Sequence, residues 1–235
     1  IGSRFKSECG GRRDAHTYSY DTEEDMLASQ ASSKDLSAHG IVNSGSVHWN
    51  LGAEPLYENT IANGLGTITA GGALRVETGK FTGRSPNDKF IVDEPSSTGD
   101  IWWGSVNRPT TLEIYERLKA KILAYYQTRD LFVQDLYAGA AVDHRLNVRV
   151  ISDSPWHALF ARNMFIRPAR EDLDGFDPQF TVLHAPMLHA DPATDGTNSE
   201  VFIVVNFAER TVLVGGSRYA GEIKKSIFSL MNHLL

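Results

Sequence analysis

Thr211-Val212-Leu213-Val214-Gly215-Gly216-Ser217-Arg218-Tyr219-Ala220-Gly221-Glu222-Ile223-Lys224-Lys225 runs from a β-branched apolar stretch, through paired glycines, into a segment with helical spacing. Ile223, Ile227, Phe228, Leu230, Met231 and Leu234 continue it as one apolar helix face. A strand that turns through glycines into an amphipathic helix is the place where open α/β sheets bind ligands. The free amides and the dipole of a helix N-terminus attract anions. Two lysines in the first turn oppose that dipole, at a typical cost of about 0.3–1 kcal/mol each. Either both point into solvent, with Glu222 partly compensating, or they face a bound anion. The glycines at 215, 216 and 221 favour an oxyanion site.

Working outward, the same texture extends back to about residue 45. Val201–Val205 and Thr211–Val214 read as a hairpin across residues 206–210. Leu74–Val76, Lys89–Val92, Leu131–Leu136, Leu146–Ile151 and Phe180–Leu183 read as strands, and residues 64–72 as turn-rich. Pro55–Ala62 reads as a short helix. Leu112, Tyr115, Leu118, Ile122 and Tyr125 recur at helical spacing behind Thr110 and Thr111, either of which can cap a helix to Tyr126. Ser154-Pro155 starts another helix over 156–165, with a capping serine and proline at the first position. Trp102, Trp103, Trp156 and Phe165 read as core or packing aromatics. The expected fold class is α/β, a mixed β-sheet flanked by helices, forming one domain over 45–235.

Residues 1–44 carry no sustained period of 2 or 3.6 and are expected to be a poorly ordered extension, with Glu23-Glu24-Asp25 as a solvated turn. The start at Ile1 and the stop at Leu235 inside an apolar pattern predict a fragment. Over all 235 residues, 41% are hydrophobic and 22% charged, which excludes wholesale disorder. The net charge of −6 argues against a nucleic-acid partner, and no basic-aromatic stripe offsets it. No apolar run approaches the roughly 18 residues of a membrane span. Cys9 is the single cysteine, which excludes an intrachain disulfide and a cysteine zinc cluster and suits a reducing, cytoplasmic compartment.

A second motif, Thr82-Gly83-Arg84-Ser85-Pro86-Asn87-Asp88-Lys89, precedes a strand. Gly83 permits unusual backbone angles, Pro86 stiffens the loop, and Asp88 can fold back on local amides. A guanidinium held there can grip a carboxylate or phosphate through two parallel hydrogen bonds; a surface ion pair with a nearby acid is equally compatible with Arg84. Residues 79–85 echo a phosphate loop, but the spacing is wrong by one, arginine replaces lysine, and a strand follows where a helix should. Gly64-Leu65-Gly66 lacks the third glycine of a dinucleotide fingerprint. His184 and His189, with Asp191, are poor joint metal ligands, since a separation of five puts them on opposite faces of a strand. Arg162 and Arg167 flank Asn163–Ile166 and can face a ligand, a domain partner or solvent.

Four segments in this order, Phe81–Lys89, Arg162-Asn163-Met164-Phe165-Ile166-Arg167-Pro168, Asn198-Ser199-Glu200 and Tyr219–Lys225, closely resemble the amino-terminal, substrate-binding half of the ATP-dependent phosphoenolpyruvate carboxykinase family. The resemblance runs from about Val47 to Leu235. It implies that Arg84 holds the carboxylate of oxaloacetate or phosphoenolpyruvate, and that Tyr219 contacts substrate or CO2. It also implies that Lys224 helps neutralise the transferring phosphoryl group and that Lys225, as a neutral amine, ligates Mn2+ or Mg2+. The implied gluconeogenic reaction decarboxylates oxaloacetate and passes a phosphoryl group from ATP to the enolate oxygen, giving phosphoenolpyruvate, CO2 and ADP. Cations from Arg84, Lys224 and a divalent metal suit an enolate beside a triphosphate.

The family's later metal-binding His and Asp, its ATP phosphate loop and its second substrate Arg have no counterpart here; His233 comes too early to take the metal role. The resemblance therefore implies a half-enzyme lacking its carboxy-terminal nucleotide-binding domain and inactive alone. Leu234 and Leu235 are expected to be exposed toward that partner domain. The alternative is a catalytically dead module that binds a carboxylate or another anion.

Overall fold

The computed structural model describes residues 36–234. In chain order its elements are β1 (Val47–Trp49), α1 (Ala53–Ala62), β2 (Gly66–Ile68), β3 (Leu74–Val76), β4 (Lys89–Val92) and β5 (Arg108–Thr110). Then come α2 (Leu112–Tyr126), β6 (Leu131–Ala138), β7 (Leu146–Ser152), α3 (Pro155–Met164) and α4 (Arg170–Leu173). The series closes with β8 (Phe180–Ala185), α5 (Pro192–Asp195), β9 (Phe202–Asn206), β10 (Thr211–Gly215) and α6 (Gly221–Leu234).

Eight strands form one mixed sheet in the order β1-β6-β7-β8-β10-β9-β4-β5. The β6–β7 and β9–β10 pairs are antiparallel, and the other neighbours are parallel. The central strands are buried throughout, so both faces need cover. Alternation divides their side chains. Phe202, Val204 and Leu213 join Tyr115, Leu118, Ile122 and Tyr126 of α2 in one core layer. Ile203, Val205, Val212 and Val214 join Ile223, Ile227 and Leu230 of α6 in the other. A smaller cluster, Leu51, Leu56, Phe132 and Ala158, seats α1 and α3 at the β6 end. This is the expected α/β architecture, a mixed sheet with helices on both faces.

Thr111 caps α2, its hydroxyl accepting from the Ile114 amide at 3.2 Å. The helix start at Ser154 differs from expectation. Its hydroxyl pairs with Nδ1 of His157 at 2.8 Å and makes no cap to the backbone. The turn-rich stretch from residue 64 holds a strand, β2, paired with β3 across a turn closed by the Gly72 amide on the Thr69 carbonyl. Trp102 is 82% exposed, so it is not a core aromatic; Trp156 is buried, while Trp103 and Phe165 flank the second core layer. Residues 1–35 of the expected extension, including Cys9 and Glu23–Asp25, lie outside the described residues. Residues 36–44 are described, and Leu36 and Ile41 are buried beside α2.

Because β9 runs antiparallel to β10 and parallel to β4, Gly215 at the end of β10 faces Phe202 at the start of β9, and Lys89 at the start of β4 faces Ile203. The loop before β4 and the loop after β10 therefore reach the same edge of the sheet. Ala185, closing β8, pairs with Gly215 there, and Ser152, closing β7, pairs with His184. Two motifs far apart in sequence become neighbours by topology alone.

Candidate functional site

The glycines of the β10–α6 turn are explained by close approach. Gly216 has φ of 74°, and a Cβ there would lie 2.3 Å from the Glu200 carbonyl oxygen. A Cβ on Gly221 would lie 2.3 Å from the Tyr219 ring, so the half-buried tyrosine rests against the start of α6. The Tyr219 amide donates to the Ser217 hydroxyl at 3.2 Å, and the Tyr219 carbonyl accepts from the Glu222 amide at 3.1 Å. Beneath the turn, Nε2 of His157 lies 3.1 Å from the Arg218 carbonyl, and the His157 and His184 rings are 4.3 Å apart.

The arginine loop docks on this turn through its backbone. The Ser85 amide donates to Oε1 of Glu222 at 2.5 Å, across 137 residues of sequence. Lys89 reaches α6 about two turns further on, its Nζ donating to the Ser229 hydroxyl at 2.7 Å, which in turn donates to the Lys225 carbonyl at 3.0 Å. On its other side the loop meets residues 198–200. The Asn87 carbonyl accepts from Nδ2 of Asn198, Asp88 bonds the Ser199 hydroxyl, and Lys80 pairs with Glu200 at 2.6 Å. Asp88 thus ties the loop to a distant strand connection and not to its own amides. Arg108 grips the carbonyl and the side chain of Asn87.

Burial sets the electrostatics. It raises the pKa of Glu222, although the bond from Ser85 and the charges of Arg84 and Lys89 oppose the shift. Burial likewise raises Asp88 and lowers Lys89. The outward cations differ. Arg84 is exposed and makes no salt bridge among the described residues. Lys224 is exposed, while Lys225 is half-buried with Nζ 4.7 Å from the centre of the Phe228 ring. Phe228 is 53% and Leu234 51% exposed; Leu235 lies outside the described residues.

The remaining sequence candidates sit elsewhere. His184 is wholly buried under the turn, whereas His189 is exposed and Asp191 caps α5 by accepting from the Ala193 amide. Arg162 is buried near the end of α3, and Arg167 is exposed just past Ile166, which bridges to Tyr137. Sequence reading missed Lys89 and His157, and took Glu222 only for local compensation. A Ser-x-x-His spacing at a helix start was the available signal for His157; Glu222 and Lys89 had none.

Among the described residues no group of three His, Cys, Asp or Glu side chains could hold a metal ion. Lys225 alone offers a single nitrogen donor, where Mg2+ demands about six ligands. The described residues by themselves do not complete a divalent-metal site, to which Lys225 could contribute one donor. No helix among them is long and apolar enough to cross a membrane.

An exposed arginine, a lysine pair and a glycine-lined helix start lie at one end of the mixed sheet of this α/β protein, a candidate site for an anion. The chain matches the profile of the phosphoenolpyruvate carboxykinase family over residues 45–235 and belongs to that family. It is 52% identical over 200 residues to phosphoenolpyruvate carboxykinase (ATP) of Geobacter sp. strain M21, covering 85% of this chain and 38% of the relative. It is 52% identical over 204 residues to that of Thermus thermophilus, covering 85% and 39%, and 50% identical to that of Bacillus velezensis, covering 86% and 39%. The chain spans less than two fifths of the length of these curated relatives.

Proposed function

We propose that residues 45–235 form the substrate-binding domain of an ATP-dependent, cytoplasmic phosphoenolpyruvate carboxykinase. In this reading the enzyme converts oxaloacetate and ATP to phosphoenolpyruvate, CO2 and ADP, as a step of gluconeogenesis. The observation that carries the proposal is the meeting of the Arg84 loop with α6 at one sheet edge, fastened by the Ser85 amide on Glu222.

Arg84 is exposed and free of salt bridges among the described residues, so its planar fork is available for bidentate binding of the oxaloacetate carboxylate. Tyr219, resting on Gly221, is offered as the contact to substrate or CO2. The start of α6 directs its dipole at negative charge developing on the enolate, and Lys224 brings a mobile cation to the phosphoryl group. Lys225 is offered as one nitrogen ligand to Mn2+ or Mg2+, whose Lewis acidity would lower the charge on the transferring group. The other donors, and most of the ATP site, fall to a carboxy-terminal domain of the same protein.

The test is steady-state assay of the full-length protein with oxaloacetate, ATP and Mn2+ or Mg2+. Phosphoenolpyruvate formation is expected, with Arg84→Ala raising KM for oxaloacetate by roughly tenfold or more, the worth of one charged hydrogen bond. An inactive wild type, or Arg84→Ala with unchanged kinetics, refutes the reading.

A further inference from the structure

We propose that Glu222 and Lys89 are positioning residues that set the separation between the carboxylate-gripping Arg84 and the lysine-bearing start of α6. The inference rests on the function proposed above and adds residues that do not themselves touch substrate.

The peptide joining Arg84 to Ser85 is planar and stiff, so an acceptor that fixes the Ser85 amide also fixes the carbonyl end of Arg84. That acceptor is Oε1 of Glu222, a carboxylate only 5% exposed. Glu222 stands three residues before Lys225 in α6, hence on the same face, while Lys224 at two residues points away. Burial follows this division, Lys225 being half-buried and Lys224 exposed. The second tie runs from Lys89 through the Ser229 hydroxyl to the Lys225 carbonyl. Two bonds about two helical turns apart fix both the spacing and the tilt of the loop against the helix, whereas one bond would leave a pivot.

A buried carboxylate facing Arg84 and Lys89 also holds these like charges close before any substrate arrives. Burial is tolerable because Glu222 accepts an amide hydrogen bond and faces two cations.

Glu222→Ala, Glu222→Gln and Ser229→Ala in the full-length protein test the proposal by two readouts: KM for oxaloacetate against KM for ATP, and calorimetric binding of oxalate. Glu222→Ala is expected to raise KM for oxaloacetate and weaken oxalate binding by about tenfold, with KM for ATP within about twofold. Glu222→Gln, whose amide oxygen accepts the same bond, is expected to restore both values to within about threefold, and Ser229→Ala to show a smaller loss than Glu222→Ala. Should Glu222→Ala not melt cooperatively, the Gln and Ser229 variants decide: a normal oxaloacetate KM in Ser229→Ala overturns the proposal. So does a parallel rise of both KM values, which marks a merely structural role. A wild type that binds oxalate but makes no phosphoenolpyruvate refutes the activity while leaving the oxalate comparison to decide the positioning role.

Discussion

The imidazole of His157 bridges the Ser154 hydroxyl at 2.8 Å and the Arg218 carbonyl at 3.1 Å, joining the start of α3 to the residue before Tyr219. A carbonyl only accepts, so Nε2 carries the proton and Nδ1 accepts from Ser154. Replacing His157 by leucine should leave the Arg218 carbonyl without this donor and cost about 1–3 kcal/mol. His157→Gln, which keeps an N–H in reach of the carbonyl, should recover most of the loss. Urea unfolding of the three proteins measures both effects, and equal stabilities would show that the bond contributes nothing.

Burial holds His184 far below its ordinary value of 6.5, at about 3, and lowers His157 as well. A histidine with a depressed folded-state pKa is neutral in the fold and takes up its proton on unfolding. Its stabilising contribution is complete above about pH 6.5 and is lost as the pH falls toward 3. His184 should add a slope of up to about 1.4 kcal/mol per pH unit in that window. Unfolding free energies measured from pH 7 to 4 should fall less steeply for His184→Asn than for the parent chain; parallel curves would contradict the burial argument.

Gly216 combines a positive φ with a backbone oxygen where a Cβ would stand. Gly216→Ala should therefore cost more than the roughly 1–3 kcal/mol of left-handed strain alone. Gly83→Ala, with open space around the added carbon, serves as the control. Thermal melts separate the two, and a Gly216→Ala midpoint matching the control would rule out the close approach.

Lys224 and Lys225 should part company in stability as well as in activity. Lys224→Ala removes an exposed side chain and should change unfolding free energy by no more than about 0.5 kcal/mol. Lys225→Ala also strips the Phe228 ring of a cation 4.7 Å away, a contact worth about 0.5–1 kcal/mol at such sites. In the full-length enzyme Lys225→Ala should damage metal-dependent turnover far more than folding. Equal losses of both would contradict the ligand role.

Much of the fold is written in local pattern. The α2 stripe from Leu112 to Tyr126 and its Thr111 cap follow from spacing and side-chain chemistry, as do the apolar runs that became β6 to β10. The elements that escaped are short ones whose composition argues against them. Pro109 lies inside β5, tolerated because β5 ends the sheet and has one free side, and β2 begins with glycine. Trp102 misled because size and apolarity favour burial, yet Trp103 next to it takes the packed position.

The site divides in the same way. Arg84 and the lysine pair stood out as charge placed against glycine and a helix start. Glu222 did not, because its partner is the Ser85 amide 137 residues away, and backbone donors carry no sequence signature. Ser154 looked like a helix cap and turned its hydroxyl to His157, a choice made by a side chain in the helix itself.

The reversal of direction at the β9–β10 hairpin has a kinetic consequence. Nothing local can bring Arg84 toward Lys225; their meeting waits until β4 has docked on β9 and β9 has folded back on β10. Closing so long a loop is slow, and its entropy must be met before the contacts that reward it exist. The anion site should thus be among the last features to mature, and recovery of ligand binding during refolding should lag behind recovery of helix and sheet.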